Sequence, residues 1–280
     1  MLALFQRICE SKVAVLLLGL AAAAAAALAG NTGVPGRVLV PDTAIGLGGQ
    51  SFIDEQSALS DVDGIESIQS FTLPPGVAIA AIDRLGPDHW LLVFDTYVDL
   101  GSGLVAGPRD VVELELGGYT LRFSAAGAGV PDGTEIDAVA DDPSGRYLLL
   151  SFDTVFQDTV NQGIFDPTLA VYWDTVDERF TGFVVGPTLA TLTGGELDGL
   201  DWDGDDRYYV SFAGGGSWGG VEFDDEDILD CDASGNCAVL FHELWLGDLD
   251  LASFAVVPDL IFADGFEGQT LGEWSSAVGG

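Results

Sequence analysis

The chain has 280 residues, with 45 Asp and Glu against nine Lys and Arg, a formal net charge of −36 and 48% hydrophobic residues. So acidic a surface repels nucleic acid and anionic lipid, which excludes both as expected partners. The hydrophobic content is too high for a disordered acidic chain, so we expect a folded core with the acids outside.

Residues 1–29 have the pattern of a cleaved secretory signal peptide. A basic start with Arg7 and Lys12 precedes the apolar run Val13–Ala27, and Ala27-Leu28-Ala29 is a small-x-small cleavage site ahead of Gly30. The alternative is an uncleaved membrane anchor, which the short, alanine-rich run disfavours. The sequence therefore predicts a secreted, cell-surface or periplasmic protein, with no membrane insertion after signal cleavage.

A strand-turn-strand pattern then recurs three times. The strand segments Trp90–Asp95, Tyr147–Asp153 and Tyr208–Phe212 align on a phenylalanine, at Phe94, Phe152 and Phe212, with spacings of 58 and 60 residues. Because side chains alternate along a strand, each copy places a large apolar triplet on one face. A unit of this size cannot bury that face alone, so neighbouring copies must stack.

Each unit contains four predicted strands. An earlier strand, followed by an Asp/Gly/Pro turn, precedes each aligned one, and two more follow after a longer loop. The first strands are Val77–Asp83, Ile136–Val139 and Leu197–Leu200; the third are Asp110–Leu116, Thr168–Trp173 and Asp227–Asp230; the fourth are Tyr119–Phe123, Phe180–Val185 and Ala238–Leu246. The sequence thus predicts an all-β fold of repeated four-stranded antiparallel units, a small β-propeller of four or five blades, with a β-sandwich as the alternative.

The chain divides into a signal peptide (1–29), an N-terminal segment partly packed on the repeats (30–66), the β-repeat domain (67–258) and a C-terminal tail (259–280). A last strand at Leu249–Pro258 can join the segments Arg37–Val40 and Ser67–Leu73. Such a composite unit would close the ring and cover its sheet edges.

Two of the three cysteines lie outside the signal, at Cys231 and Cys237. Turn-forming residues separate them, so a hairpin can bring the two sulfur atoms together. A disulfide between Cys231 and Cys237 is expected in an oxidising compartment.

The loops after the second strands, Thr96–Arg109, Thr154–Pro167 and Ala213–Glu226, are similar in length and rich in Gly and acids. In a propeller they emerge on one rim, where a rigid scaffold carries binding residues. The candidate binding rim consists of Asp99, Asp158, Asp224 and Asp225; the alternative is a solvated acidic rim.

Asp201, Asp203 and Asp205 are weak candidates for a metal site, because their spacing resembles a calcium loop without its downstream bidentate Glu. The general acidity has two explanations, adaptation to high salt or binding of cations such as Ca²⁺. No other cofactor is indicated.

The sequence assigns no catalytic residue. Ser217 lies in a G-x-S-x-G match, but no helix follows it as a nucleophile elbow requires. His89 and His242 are the only histidines, and both fall in predicted strands. Two histidines are too few for a three-histidine zinc site. Converging carboxylates with an ion in a central channel would favour an enzyme.

The tail Ile261–Gly268, with Trp274 and Ser275, resembles a short C-terminal motif, roughly I-F-x-D-G-F-E-S-G-x-x-x-x-W-S, although the serine before the second glycine is missing. That motif recurs in exported proteins of Gram-negative bacteria. The strand Ser151–Asp153 with Ile136–Ala138 is similar to uncharacterised exported β-repeat proteins of the same class. The resemblance implies a β-rich exported protein and brings no catalytic residues with it.

The sequence therefore predicts a non-enzymatic exported binding or surface module, whose stability depends on salt or divalent cations and whose partner is an extracellular ligand or cation. The alternative is a secreted hydrolase acting on an extracellular small molecule or glycan.

Overall fold

The computed structural model describes residues 36–42, 44–47, 51–62, 65–157, 163–183, 196–203, 207–218, 220–225, 227–232, 234–241 and 251–257. Within these ranges the regular structure is β-strand apart from a single helical turn, Ala125–Ala128. No helix in these ranges is long and apolar enough to cross a membrane.

Twenty-four strands form in the described ranges. In chain order they are β1 (Gly36–Pro41), β2 (Ile45–Leu47), β3 (Ser51–Ile53), β4 (Ser57–Val62), β5 (Ile65–Ser70), β6 (Ile79–Gly86), β7 (His89–Phe94), β8 (Val98–Asp99), β9 (Val105–Ala106), β10 (Asp110–Glu115), β11 (Gly118–Ser124), β12 (Ile136–Asp141), β13 (Tyr147–Phe152), β14 (Phe156–Gln157), β15 (Ile164–Phe165), β16 (Val171–Asp174), β17 (Arg179–Phe183), β18 (Leu197–Trp202), β19 (Arg207–Phe212), β20 (Gly216–Trp218), β21 (Val221–Phe223), β22 (Ile228–Asp232), β23 (Cys237–Phe241) and β24 (Leu251–Val257).

Sixteen of these strands make four antiparallel sheets, which we call blades 1 to 4. Their strand orders from the inside outwards are β24-β1-β4-β5, β6-β7-β10-β11, β12-β13-β16-β17 and β18-β19-β22-β23. The inner strands β24, β6, β12 and β18 pack against one another in a closed ring. The protein is a four-bladed β-propeller; the sandwich alternative is wrong, because two stacked sheets would not bring four inner strands around one axis.

Blade 1 combines the two ends of the described chain. The C-terminal strand β24 pairs with β1 from Gly36↔Val257 to Pro41↔Leu251, and β1 pairs in turn with β4. The predicted closure is therefore confirmed, with β5 as the outer strand. The sequence did not reveal β4, because its Ser, Ala and Asp residues give only a weak apolar alternation.

The three aligned phenylalanines occupy the same place in their blades. Phe94, Phe152 and Phe212 are at most 1% exposed, and each pairs with the first residue of its inner strand. The predicted triplets face one neighbouring blade, whereas alternate residues such as Leu91 and Leu149 are buried against the other. A separate apolar core thus fills each junction between adjacent blades, and the middle strands are buried on both faces.

Two rims follow from the antiparallel order. Each blade has a short hairpin between its second and third strands, formed by β2–β3, β8–β9, β14–β15 and β20–β21. We call this end of the ring the hairpin rim. The turns that join the first and second strands lie at the opposite end, which we call the turn rim.

The predicted disulfide is confirmed, with the Cys231 and Cys237 sulfur atoms 2.11 Å apart. It spans the β22–β23 hairpin, where Cys231 and Cys237 are directly paired. The Asp232 carboxylate supports the turn by accepting hydrogen bonds from the backbone N–H groups of Ser234 and Asn236, each at 2.9 Å.

Several predicted strand ends are displaced. The first strand of blade 2 starts at Ile79 rather than Val77, and it continues to Gly86. The third strand of blade 3 starts at Val171 rather than Thr168, since the Asp166 carboxylate holds Thr168 in a turn through its N–H and hydroxyl. Of Ala238–Leu246, the part up to Phe241 is strand and the remainder is outside the described residues, as is the tail 259–280.

Candidate functional site

The inner strands place one carboxylate on each of two opposite blades. The ladder registers align Asp83, Ala140, Asp201 and Ala255 as the fifth residue of their inner strands. Asp83 belongs to blade 2 and Asp201 to blade 4, so they stand on opposite sides of the ring. They are 4% and 7% exposed, and we call them the axial carboxylates.

Each axial carboxylate joins two neighbouring blades through hydrogen bonds. The Asp83 oxygens accept from the N–H of Arg84, at 2.6 Å, and from the N–H of Asp141 in blade 3, at 2.7 Å. In the same manner Asp201 accepts from the N–H of Trp202 in its own strand and from the N–H of Val256 in blade 1. The second of these bonds ties the closing strand β24 to blade 4.

Both axial carboxylates have raised pKa values, because the structure disfavours their charged forms. Burial, together with the charge of Asp201, raises the pKa of Asp83 well above its usual range. Burial raises the pKa of Asp201 to about 7, and the charge of Asp203 adds to the rise. Neither axial carboxylate has a cationic side chain as an ion-pair partner among the described residues. The backbone N–H groups therefore offset only part of the desolvation cost.

A cavity of about 440 Å³ opens beside these carboxylates at the turn rim. Its wall combines acids, two aromatic rings and aliphatic side chains, and we call it the axial pocket. The lining residues are Asp83, Arg84, Leu85, Asp141, Pro143, Asp201, Trp202, Asp203, Tyr209 and Val256.

The one arginine of the pocket wall is engaged away from the axial carboxylates. The Arg84 Nε–H donates to the Gly86 carbonyl at 3.2 Å, and its guanidinium lies 5.4 Å from the centre of the Trp90 ring. Burial lowers the pKa of Arg84. The pocket therefore presents excess negative charge.

The aromatic wall is held rigidly by its neighbours. The Trp202 ring stacks on Tyr208 with centroids 5.8 Å apart and planes 15° from parallel, and it meets Tyr172 edge-on at 6.0 Å. The Trp202 Nε1–H is buried without a hydrogen-bond partner. The Tyr209 hydroxyl donates to Asp203 at 3.4 Å. Trp202 and Tyr209 thus add aromatic residues to the wall of the axial pocket.

A second group of acids lies at the other end of the ring. Glu135 and Asp137 flank the start of β12, and the Asp153 carboxylate accepts from the Glu135 N–H at 2.8 Å. Burial raises the pKa of Asp137 to about 8, with further contributions from Asp153, Glu196 and Glu135. Both ends of the ring therefore hold carboxylates in unfavourable proximity.

The sequence-predicted residues are divided between the two rims. Asp201 and Asp203 line the axial pocket, whereas Asp205 is outside the described residues. Asp99, Asp224 and Asp225 are exposed on the hairpin rim, and Asp158 is also outside the described residues. The Asp99 carboxylate accepts from the Gly101 N–H at 2.9 Å within its own loop. In the described ranges no three His, Cys, Asp or Glu side chains are grouped as metal ligands.

Asp83 was missed by the sequence argument. It stands 118 residues before Asp201, which is the sum of the two repeat spacings, and both follow a buried aliphatic residue, Ile82 and Leu200. The signal was therefore present in the repeat alignment. Nothing in the repeat pattern indicated that blades 2 and 4 face each other.

The weak catalytic patterns lie away from the axial pocket. Ser217 is in β20, paired with Glu222 of β21, so the strand-to-helix turn of a nucleophile elbow is absent at this serine. His89 starts β7, where its Nε2 lies 2.6 Å from Glu113 Oε1 on the adjacent strand. His242 is outside the described residues.

No protein-family model matches this chain, and no curated protein matches it. Solved structures do. One is a structure of YCF48 bound to D1 peptide, with 14% identity and a TM-score of 0.28. The match covers 67% of this chain and 47% of the YCF48 chain, so this protein spans less than half the length of that relative. The β-propeller domain of Cps50 (Swd1) from Myceliophteria thermophila matches 57% of this chain and 60% of its own, with 10% identity and a TM-score of 0.32. A nidogen/laminin complex matches 80% of this chain and 99% of its own, with 10% identity and a TM-score of 0.37. The fold assignment rests on the sheet order and the closed ring of inner strands.

Proposed function

We propose that this protein is an exported, non-enzymatic binding module whose axial pocket recognises a positively charged group. The observation that carries this is the pair of buried axial carboxylates, Asp83 and Asp201, beside an open cavity and without an ion-pair partner in the described chain. A cation placed between them would favour their charged forms and relieve their repulsion.

Salt or divalent cations would stabilise the fold for the same reason. The raised pKa values of Asp83, Asp137 and Asp201 reflect burial and mutual repulsion of carboxylates. Mobile ions screen such repulsion where water reaches it, and Ca²⁺ can also be bound by carboxylate oxygens.

Thermal melting in NaCl and in CaCl₂ at matched ionic strength tests this dependence. We expect the melting temperature to rise in both salts. A larger rise in CaCl₂ that is lost in Asp201→Asn would place a divalent ion in the axial pocket, and equal rises would reduce the effect to screening. An unchanged melting temperature in both salts would contradict the proposal. Glu222→Gln is the control, because Glu222 is an exposed acid on the hairpin rim.

Export is supported by the signal-like residues 1–29 and by the Cys231–Cys237 disulfide, which is typical of oxidising compartments. The resemblance of the C-terminal tail to a motif of exported Gram-negative proteins supports export from a Gram-negative bacterium. The measurement is the intact mass of protein recovered from the periplasm or medium, which we expect to begin at Gly30. A mass that includes Met1 would reject signal cleavage.

A secreted hydrolase is the second candidate, favoured by the same two carboxylates at one cavity. Pairs of acids with separated pKa values serve as proton donor and acceptor in glycoside hydrolysis. Turnover of a glycoside or ester panel that Asp83→Asn and Asp201→Asn both abolish would establish this function. Turnover that survives in both variants would place any activity elsewhere.

A further inference from the structure

We propose that the group bound by the axial pocket is a primary alkylammonium, an aliphatic chain ending in NH₃⁺. This inference rests on the proposed function above, because it names the chemistry of the ligand for that same pocket. The size of the cavity, the hydrogen-bonding capacity of its acids and its apolar walls all favour such a ligand.

The cavity has the volume of a site for a small organic molecule. At about 440 Å³ it falls within the range of roughly 300–1,000 Å³ that is usual for small-molecule pockets. A single water occupies about 30 Å³ in the liquid. A bare metal ion would leave most of this space to solvent, whereas an alkylammonium would occupy more of it and its carbon chain could contact the walls.

The axial carboxylates have acceptor capacity left for an ammonium. Each oxygen of Asp83 and Asp201 already accepts one backbone N–H, which fixes the position of both carboxylates. An ionised carboxylate offers about four lone-pair sites, so roughly two remain on each. An NH₃⁺ group has three donors, which suits two carboxylates that line the same pocket.

The remaining walls suit the carbon chain of such a ligand. Leu85, Pro143 and Val256 contribute aliphatic surface on three different blades. Trp202, whose ring stacks on Tyr208, adds an aromatic residue to the wall. An alkyl chain can pack on these side chains, and an indole ring in the wall favours a nearby cation. Apolar walls of this kind would contribute nothing to a hydrated Ca²⁺.

Calorimetric titration of the mature, signal-free chain at low ionic strength tests the inference. The probes are 1,4-diaminobutane, the neutral analogue 1,4-butanediol, tetramethylammonium, Nα-acetyl-lysine amide and CaCl₂. We expect saturable binding of 1,4-diaminobutane and none of the diol, with tetramethylammonium at least about tenfold weaker because it has no N–H donors. If Nα-acetyl-lysine amide binds with comparable affinity, the natural ligand is a lysine side chain. If it does not bind while 1,4-diaminobutane does, the natural ligand is a free amine.

Variants place the binding in the pocket. Asp201→Asn removes one charge and should weaken 1,4-diaminobutane binding by about tenfold or more. Trp202→Leu removes the indole ring from the wall and should weaken this binding by about threefold to tenfold. Glu222→Gln should leave the affinity within about twofold, since a distant exposed charge is screened. The Trp202 side chain makes no hydrogen bond to another blade. Trp202→Leu can therefore still test binding in the pocket if Asp201→Asn fails to fold.

The outcomes separate this inference from the proposed function. Binding of CaCl₂ without binding of any amine would overturn the alkylammonium assignment and leave a cation-binding pocket. No binding of any probe would overturn both. Amine binding that Asp201→Asn and Trp202→Leu leave unchanged would assign it to the acidic surface and would also overturn the inference.

Discussion

Replacement of Asp201 by asparagine should change how stability depends on pH. Asp201 is buried, and its pKa of about 7 lies far above its usual range because burial disfavours the charged form. The unfolded chain should return this pKa to about 3.9. Between those two values the folded protein holds more protons than the unfolded one. Stability therefore falls as pH rises from about 4 to about 7, and this contribution is level above about 7.

The size of the effect follows from the two pKa values. One pKa unit corresponds to about 1.4 kcal/mol, so Asp201 alone can lower the free energy of unfolding by about 3 kcal/mol between about pH 5 and about pH 8. Asp83 titrates with it across the axis, so the slope belongs to the pair. The charged and titratable groups that line the pocket with Asp201 are Asp83, Arg84, Asp141, Asp203 and Tyr209.

Asp201→Asn removes the contribution of Asp201 to this slope, so the slope becomes shallower, and it also removes one hydrogen bond. The amide oxygen accepts from only one of the two N–H groups, of Trp202 and Val256, that Asp201 now bonds. We expect the variant to be about 1 kcal/mol less stable than wild type at about pH 5. At about pH 8 the wild type has lost its proton, and the variant should be the more stable protein.

Urea unfolding at constant ionic strength, repeated from about pH 5 to about pH 8, measures this difference. Glu222→Gln controls for the general effect of removing one negative charge, and it should follow the wild-type curve. Parallel curves for wild type and Asp201→Asn would refute the reasoning, because they would show that Asp201 ionises normally in the folded state.

Two further predictions concern packing and the covalent link. A Cβ added at Gly199 would lie 2.6 Å from the Phe254 ring of the closing strand, so Gly199→Ala should cost about 1–3 kcal/mol in urea unfolding; Gly127→Ala, where nothing lies within 4 Å, is the control and should stay within about 0.5 kcal/mol of wild type. Reduction of the Cys231–Cys237 disulfide, which closes a small loop, should lower stability by about 2 kcal/mol, and an unchanged urea midpoint after reduction would contradict that estimate.

Local patterns predicted most of the blade architecture. Phe94, Phe152 and Phe212 could be aligned from the sequence because the period of two along a strand is a local property. The disulfide could be predicted because Cys231 and Cys237 flank a turn within one hairpin. Strand ends were less accurate, since side-chain bonds such as that of Asp166 to Thr168 decide where a turn stops.

The repeat period, the four-stranded units and the closing role of the last strand were thus determined by the sequence itself, through alternation and turn-forming residues. The number of blades and the axial pocket were decided only by the tertiary structure. Asp83 and Asp201 are 118 residues apart and meet one cavity because the ring closes after four blades. A strand's own pattern says which side chains are buried, but the blades opposite it determine whether a buried carboxylate faces a cation, a backbone N–H or another carboxylate.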